Sequence, residues 1–201
     1  MSCLIEIISL PEQLKEIGTK AFAYNPIKTL YIPRFVEKIG AVAFFDCVLV
    51  EKIEVDWLNM VYDSRNDCNA IIETSSNTLI AGFRVTTIPN NIKHIGDRAF
   101  YYVWWSSDLY IPEGVETVYD AAFFYASNLE EVIFPSTLKY IGAGAFEYCT
   151  SLKSVTLPEG TEILYENAFA DCTSLRSVTL PETLVGVGDY AFYACTSLKE
   201  I

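Results

Sequence analysis

Six cysteines and one histidine are the side chains of this sequence best suited to chemistry. Cys47, Cys149, Cys172 and Cys195 each follow an Ala-Phe phenylalanine by three residues, and the last three are 23 residues apart. There is no Cys-x-x-Cys pair and no second histidine, so no zinc site is expected. Side chains repeated at one spacing point in parallel, which is poor geometry for a disulfide. The set therefore reads as a ladder of small apolar residues. Cys68 and Cys3 stand outside that phase and are the candidates for a reactive thiol. His94, between Ile92 and Ile95, has no serine or cysteine motif beside it and reads as an exposed polar residue, not a member of a triad. Asp63, Asn66 and Asp67 offer oxygens without the order of a calcium loop, and read as a solvated turn. No glycine-rich phosphate loop occurs. The chain is thus expected to be no enzyme, with no cofactor and no metal.

Composition narrows the partners. The formal net charge is −12 and about half of the residues are hydrophobic. An acidic surface repels phosphate backbones and anionic lipid, so nucleic acid and membrane surfaces are not expected. No apolar run is long enough to insert into a membrane. Met1 to Ile8 lacks a positive leader and carries an acid within its apolar stretch, so it is not a signal peptide. An exported protein with this sequence is expected to contain it as an excerpt.

The elements that position these residues are repeats. Ala-Phe occurs at Ala21-Phe22, Ala43-Phe44, Ala99-Phe100, Ala122-Phe123, Ala145-Phe146, Ala168-Phe169 and Ala191-Phe192. From Phe100 onward the step is 23 residues. Between Phe44 and Phe100 one unit lies hidden, enlarged by an insertion. Pro33, Pro89, Pro112, Pro135, Pro158 and Pro181 mark the same phase, each closing a short apolar alternation, and Pro11 begins the series. In the unit starting at Ser151, Leu152, Val155 and Leu157 have the L-x-x-L-x-L spacing of a leucine-rich repeat. Val155 and Leu157 alternate with Ser154 and Thr156, so one face of a short strand is apolar. The proline removes a donor and ends pairing. Leu138 with Ile141, and Thr161 with Leu164, make a second inward step. Gly18, Gly40, Gly96, Gly142 and Gly188 follow that step and read as turn glycines, although Tyr119 and Tyr165 replace them in two units. One unit cannot bury its apolar edge, whereas stacked units bury it against each other.

The expected fold is therefore mostly β with turns, a leucine-rich-repeat solenoid of about eight 22–23-residue units spanning 1–201 as one body. Segment 56–88 reads as an enlarged repeat. Within it, Ala70 to Glu73 and Thr78 to Ala81 flank a four-residue loop in the manner of a β-hairpin. Such an insertion serves either as a binding face or as a joint between two sub-arrays, with the joint favoured.

The unit S-L-x-x-V-x-L-P-x-x-L-x-x-I-G-x-x-A-F-x-x-C resembles the BspA-like, treponemal-type leucine-rich repeat. Val61 to Arg65, Cys68 to Thr74, Asn77 to Gly82 and Thr87 to Pro89 look like the insertion that such proteins carry. Val103-Trp104-Trp105 departs from the Cys-Thr-Ser region, and Phe83 stands where the insertion commonly has cysteine. The resemblance implies a secreted or surface-displayed bacterial protein acting in adhesion and protein binding. It implies an extracellular location and a protein partner such as a host matrix or surface protein, with a glycan as the alternative. A structural spacer within a larger surface protein is the third reading.

Solenoids present their strand face to partners. The alternation predicts two outward columns, one of Tyr31, Glu54, Thr87, Tyr110, Ile133, Thr156 and Thr179, the other of Thr29, Lys52, Val85, Asp108, Glu131, Ser154 and Ser177. Aromatic and acidic residues concentrate in the middle units. Tyr31, Glu54, Trp104, Trp105, Asp108, Tyr110, Glu131 and Ile133 are the expected partner-binding residues, since aromatic rings dominate contact energies. The tryptophans read equally as plugs of an irregular turn. The repeat pattern predicts a circular dichroism spectrum without a dominant helical signal; strong helical minima would contradict it.

Overall fold

The computed structural model describes residues 7–104 and 107–201. The strands run in chain order β1 (Ile7–Ile8), β2 (Glu16–Ile17), β3 (Thr29–Ile32), β4 (Lys38–Ile39), β5 (Lys52–Val55), β6 (Tyr62–Asp63), β7 (Ala70–Glu73), β8 (Thr78–Gly82) and β9 (His94–Ile95). They continue as β10 (Asp108–Tyr110), β11 (Thr117–Val118), β12 (Glu131–Ile133), β13 (Tyr140–Ile141), β14 (Ser154–Thr156), β15 (Ile163–Leu164), β16 (Ser177–Thr179) and β17 (Gly186–Val187). The only helical element among the described residues is a 3-10 turn, Arg65–Asp67.

Each unit coils through three sides. The first is the L-x-x-L-x-L strand, paired in parallel to its neighbour: Asp108 lies beside Glu131, Leu109 beside Val132, and Tyr110 beside Ile133. The second is a two-residue strand after the proline, so that β9, β11, β13, β15 and β17 form one parallel run. The third is the Ala-Phe turn, whose ladder is made of backbone bonds between turns. Arg98 N–H donates to Asp120 O (2.9 Å), Phe100 N–H to Ala122 O (2.8 Å) and Tyr102 N–H to Phe124 O (2.9 Å).

That third ladder depends on a left-handed residue at each end. The residue before each alanine has positive φ (Lys20, Val42, Arg98, Ala121, Gly144, Asn167 and Tyr190), and so does the residue two after each phenylalanine (Tyr24, Asp46, Tyr102, Tyr125, Tyr148, Asp171 and Ala194). The two left-handed residues curl the chain so that alternate amides face the next unit. The expected turn glycines do not carry this role, since Gly18, Gly40, Gly96, Gly142 and Gly188 have no positive φ. Gly40, Gly96, Gly142 and Gly188 serve close approach instead, whereas Gly18 has open space beside it. A Cβ at Gly142 would lie 2.6 Å from the backbone of Tyr119, and one at Gly188 would lie 2.5 Å from Glu166 N.

Inside the coil the rings stack as the spacing demands. Phe100 and Phe123 are 5.1 Å apart, Phe123 and Phe146 5.1 Å, and Phe146 and Phe169 5.2 Å, all nearly parallel. All four phenylalanines are fully buried. The cysteines line an adjacent column in which each sulfur faces a carbonyl one unit back: Cys149 Sγ to Phe123 O (3.5 Å), Cys172 Sγ to Phe146 O (3.3 Å) and Cys195 Sγ to Phe169 O (3.2 Å).

The enlarged repeat interrupts this regularity. The first-side strands fall into separate groups, β1-β3-β5 and then β10-β12, with no strand at 85–88. Val85 therefore does not continue its outward column, whereas Thr87 stays exposed between the buried Thr86 and Ile88. Residue 83 begins a turn closed by Thr86 N–H to Phe83 O (2.9 Å), and Val85 packs against the N-terminal core. The first side is bridged here by Ile53 N–H to Asn69 Oδ1 (3.1 Å) and Thr87 N–H to Cys68 O (3.0 Å). On the second side β8 pairs in parallel with β9, and β7 pairs antiparallel with β8 to close a hairpin. The hairpin is apolar on both faces. Ile71 belongs to the N-terminal core, while Ala70, Ile72 and Leu79 belong to the C-terminal one. Seven Ala-Phe turns result, and the enlarged unit makes none.

Phe146→Ala is expected to lower unfolding free energy by about 3–5 kcal/mol, because flanking rings held by backbone bonds cannot collapse into the cavity. Urea denaturation measures this, and a loss below about 1 kcal/mol would show that the ring is not core.

Candidate binding surfaces

The cysteine ladder holds no exposed nucleophile. Burial pushes the Cys149 thiol up to about 12. Cys172 is also raised, by its contact with Cys195 and by burial, and burial raises Cys47. Cys68, expected as a candidate reactive thiol, is buried against the hairpin and likewise raised by burial. Cys3 lies outside the described residues. No cluster of metal-ligating side chains occurs among the described residues. Asp63 is not a free oxygen ligand: its carboxylate is clasped by Arg65 Nε (2.8 Å) and Nη2 (2.5 Å) and accepts from Thr74 Oγ1 (3.0 Å). His94, expected to be exposed, is half-buried beside Tyr119, with Nδ1 lacking a partner among the described residues. Burial lowers its pKa.

The expected strand-face residues fall into two separate patches. Asp108, Tyr110, Glu131 and Ile133 form one block on β10 and β12, with Tyr110 61% and Ile133 48% exposed. Tyr31 and Glu54 pair across β3 and β5, on the far side of the enlarged repeat. Their polar atoms are already engaged: Tyr31 Oη donates to Asp56 Oδ2 (2.8 Å), which raises its pKa to about 12, and Glu54 pairs with Lys52 (2.6 Å). Trp104 is 65% exposed. It lines the joint between the sub-arrays, on the side of the Ala-Phe turns. Trp105 lies outside the described residues.

A larger feature sits on the turn side. Residues one and two positions after the Ala-Phe pair lie on this side, and in the first five turns they include Tyr24, Phe45, Tyr101, Tyr102, Phe124, Tyr125 and Tyr148. Phe45 meets Tyr24 (5.1 Å), Tyr101 (5.5 Å) and Tyr102 (5.6 Å). Tyr101 stacks on Phe124 (4.9 Å), Tyr102 stacks on Tyr125 (4.6 Å), and Phe124 meets Tyr148 edge-on (5.4 Å). The result is a belt of rings across both sub-arrays, with Tyr24 69% exposed. The signal was present in Phe44-Phe45, Phe100-Tyr101-Tyr102 and Phe123-Phe124-Tyr125. The apolar period marks only the inward phenylalanine of each turn and so does not reveal this face.

Beside the belt a cleft of about 870 Å³ opens between the 40–49 and 96–104 segments, floored by Ile80 to Arg84. That volume lies within the range of about 300–1,000 Å³ common for ligand sites. Its walls include Val42, Phe44, Val48, Leu49, Val103 and Trp104. It exists because the enlarged repeat supplies no Ala-Phe turn between those two.

Parallel short strands at a 23-residue period, a stacked phenylalanine core and outward faces free of core duty define a leucine-rich-repeat solenoid. The chain belongs to the BspA-type leucine-rich repeat family, whose model matches residues 1–125 and 121–201 in six copies. A leucine-rich cell surface protein from Faecalibacterium prausnitzii A2-165 has a similar structure (TM-score 0.81, 27% identity, 96% of this chain and 52% of that one). The leucine-rich repeat protein of T. pallidum is similar with a TM-score of 0.57 at 25% identity, over 94% of this chain and 76% of its own. The pneumococcal vaccine antigen PcpA shares the fold (TM-score 0.75, 22% identity, 93% of this chain and 47% of its own). The chain spans about half the length of the Faecalibacterium and pneumococcal proteins. No curated protein matches it. Among the described residues no helix is long and apolar enough to cross a membrane.

The buried thiols should react with Ellman's reagent on the order of 100-fold more slowly in native protein than in urea, because reaction requires local opening. Rapid native modification of Cys149 or Cys172 would contradict the ladder.

Proposed function

We propose that the chain is a non-enzymatic protein-binding module of a bacterial surface protein, acting outside the cell in adhesion. The observation that carries this reading is the turn-side aromatic belt with the apolar cleft beside it. Leucine-rich repeats generally serve protein interaction, and a structural relative is a cell surface protein. An exposed apolar surface of this size marks an interaction site. Its geometry favours protein over glycan. Sugars stack on open ring faces, whereas in the middle of the belt faces are covered pairwise, as in Tyr102 on Tyr125 and Tyr101 on Phe124. The exposed tyrosines join apolar rings to hydroxyls, which suits the mixed apolar and polar contacts of a protein interface.

The block of Asp108, Tyr110, Glu131 and Ile133 supports a second contact on the strand face, since two large side chains stand exposed side by side. Both surfaces belong to a chain of net charge −12, so a basic partner is favoured and added salt should slow association.

A binding screen against extracellular-matrix proteins and a glycan array identifies the ligand class. On the protein ligand found, Tyr24→Ala and Trp104→Ala should each weaken binding by about thirty-fold, the effect of losing a hot-spot ring. Thr179→Ala should change nothing. A loss confined to Tyr110→Ala and Ile133→Ala would move the site to the strand face. Ligands confined to the glycan array would overturn the protein reading.

A further inference from the structure

The cleft is the place of one missing turn in the backbone ladder. At the 96–102 turn the amides of Arg98, Phe100 and Tyr102 each donate to the next turn, and at the 18–24 turn Lys20, Phe22 and Tyr24 do the same. At the 40–46 turn the equivalent amides are those of Val42, Phe44 and Asp46. Among the described residues no hydrogen bond reaches any of the three. The facing turn shows the complementary deficit: the carbonyls of Asp97 and Tyr101, equivalent to the acceptors Asp120 and Phe124, receive no donor among the described residues. The Ala99 carbonyl alone is taken, by Gly82 N–H (2.8 Å). The chain then leaves the ladder, since Phe83 N–H is held by Thr86 Oγ1 (2.8 Å). The enlarged repeat thus contributes one rung where a regular unit contributes three.

The open wall is held ready. Val42 keeps φ at 48° although it is β-branched, a conformation that side chain disfavours. Elsewhere this conformation aims the amide at a carbonyl; here it aims it at the cleft. Phe45 above, Val48 beside and Phe44 within give the slot apolar sides.

We propose that the cleft takes a short segment of a partner polypeptide in place of the missing turn, its alternate carbonyls on the amides of Val42, Phe44 and Asp46 and an apolar side chain in the cavity. A row of donors on alternate residues matches the carbonyl spacing of a polypeptide, as the neighbouring turns of this chain show. The recognition is strand addition transferred to a turn ladder. It rests on the protein-binding reading above and supplies its mode.

Residue-resolved amide exchange on 15N-labelled full chain tests it. In free protein the Val42, Phe44 and Asp46 amides should exchange on the order of 100-fold faster than those of Arg98, Phe100 and Tyr102. The probe is a synthetic peptide with the sequence of residues 118–127, VYDAAFFYAS, whose equivalent carbonyls already accept such donors within the chain. Millimolar peptide should slow exchange at all three amides. Val48→Arg, an exposed substitution in the cleft wall, should abolish that protection without altering the melting temperature. Equal protection of Phe44 and Phe123 in free protein would overturn the proposal, as would peptide that leaves the three amides unprotected. The free-protein comparison needs no partner, so its failure removes the slot while the protein-binding reading stands or falls on the tyrosine and tryptophan variants.

Discussion

The structure depends on the backbone bonds that join one Ala-Phe turn to the next. Three amides per turn must face forward together, and only a chain with left-handed residues at both ends of the turn achieves this. Such residues cost on the order of 1–2 kcal/mol each when they carry a Cβ. The bonds offset that cost, and they also fix the rise between units near ring-stacking distance, so the phenylalanines meet face to face. The alanine before each phenylalanine follows from the same demand, because a larger side chain there would hold neighbouring turns apart. Glycine at the preceding corner answers the same crowding.

The enlarged repeat joins two cores. Its hairpin continues the second-side sheet through the parallel pairing of β8 with β9, so the C-terminal sub-array does not end in an open edge there. Ile71 turns toward one core and Ile72 toward the other. A partition apolar on both faces transmits rigidity, and it explains why the aromatic belt crosses the joint without a break. It also leaves the outer part of the turn ladder unfilled. Joint and cleft are two consequences of one change in the repeat pattern, an insertion that extends the second-side sheet and omits the Ala-Phe turn.

Much of the fold was legible in the sequence. The 23-residue phase of the phenylalanines gave the stacked core, and the alternation around Val155 and Leu157 gave strands whose register places Tyr110 beside Ile133. The hairpin was legible from its two apolar runs. What escaped was set by backbone conformation. Positive φ falls on Lys20, Val42, Arg98 and Tyr102, residue types that do not announce it, while Gly40, Gly96, Gly142 and Gly188 answer crowding. The extension of the outward column to Val85 failed because Thr86 holds a local turn there. The belt was hidden for a related reason: the outward direction of Tyr24, Tyr102 and Tyr125 follows from the left-handed corner and not from any apolar period.

Turn after turn, the forward ladder is written in main-chain atoms and not in side chains. Neighbouring units therefore need no private recognition code, and one can follow another whatever its surface residues. An array built this way is a permissive substrate for unequal recombination: copies can be gained, lost or reordered while the join stays sound. The outward rings are then free to diverge from copy to copy, so the same scaffold can change what it displays faster than it changes how it folds.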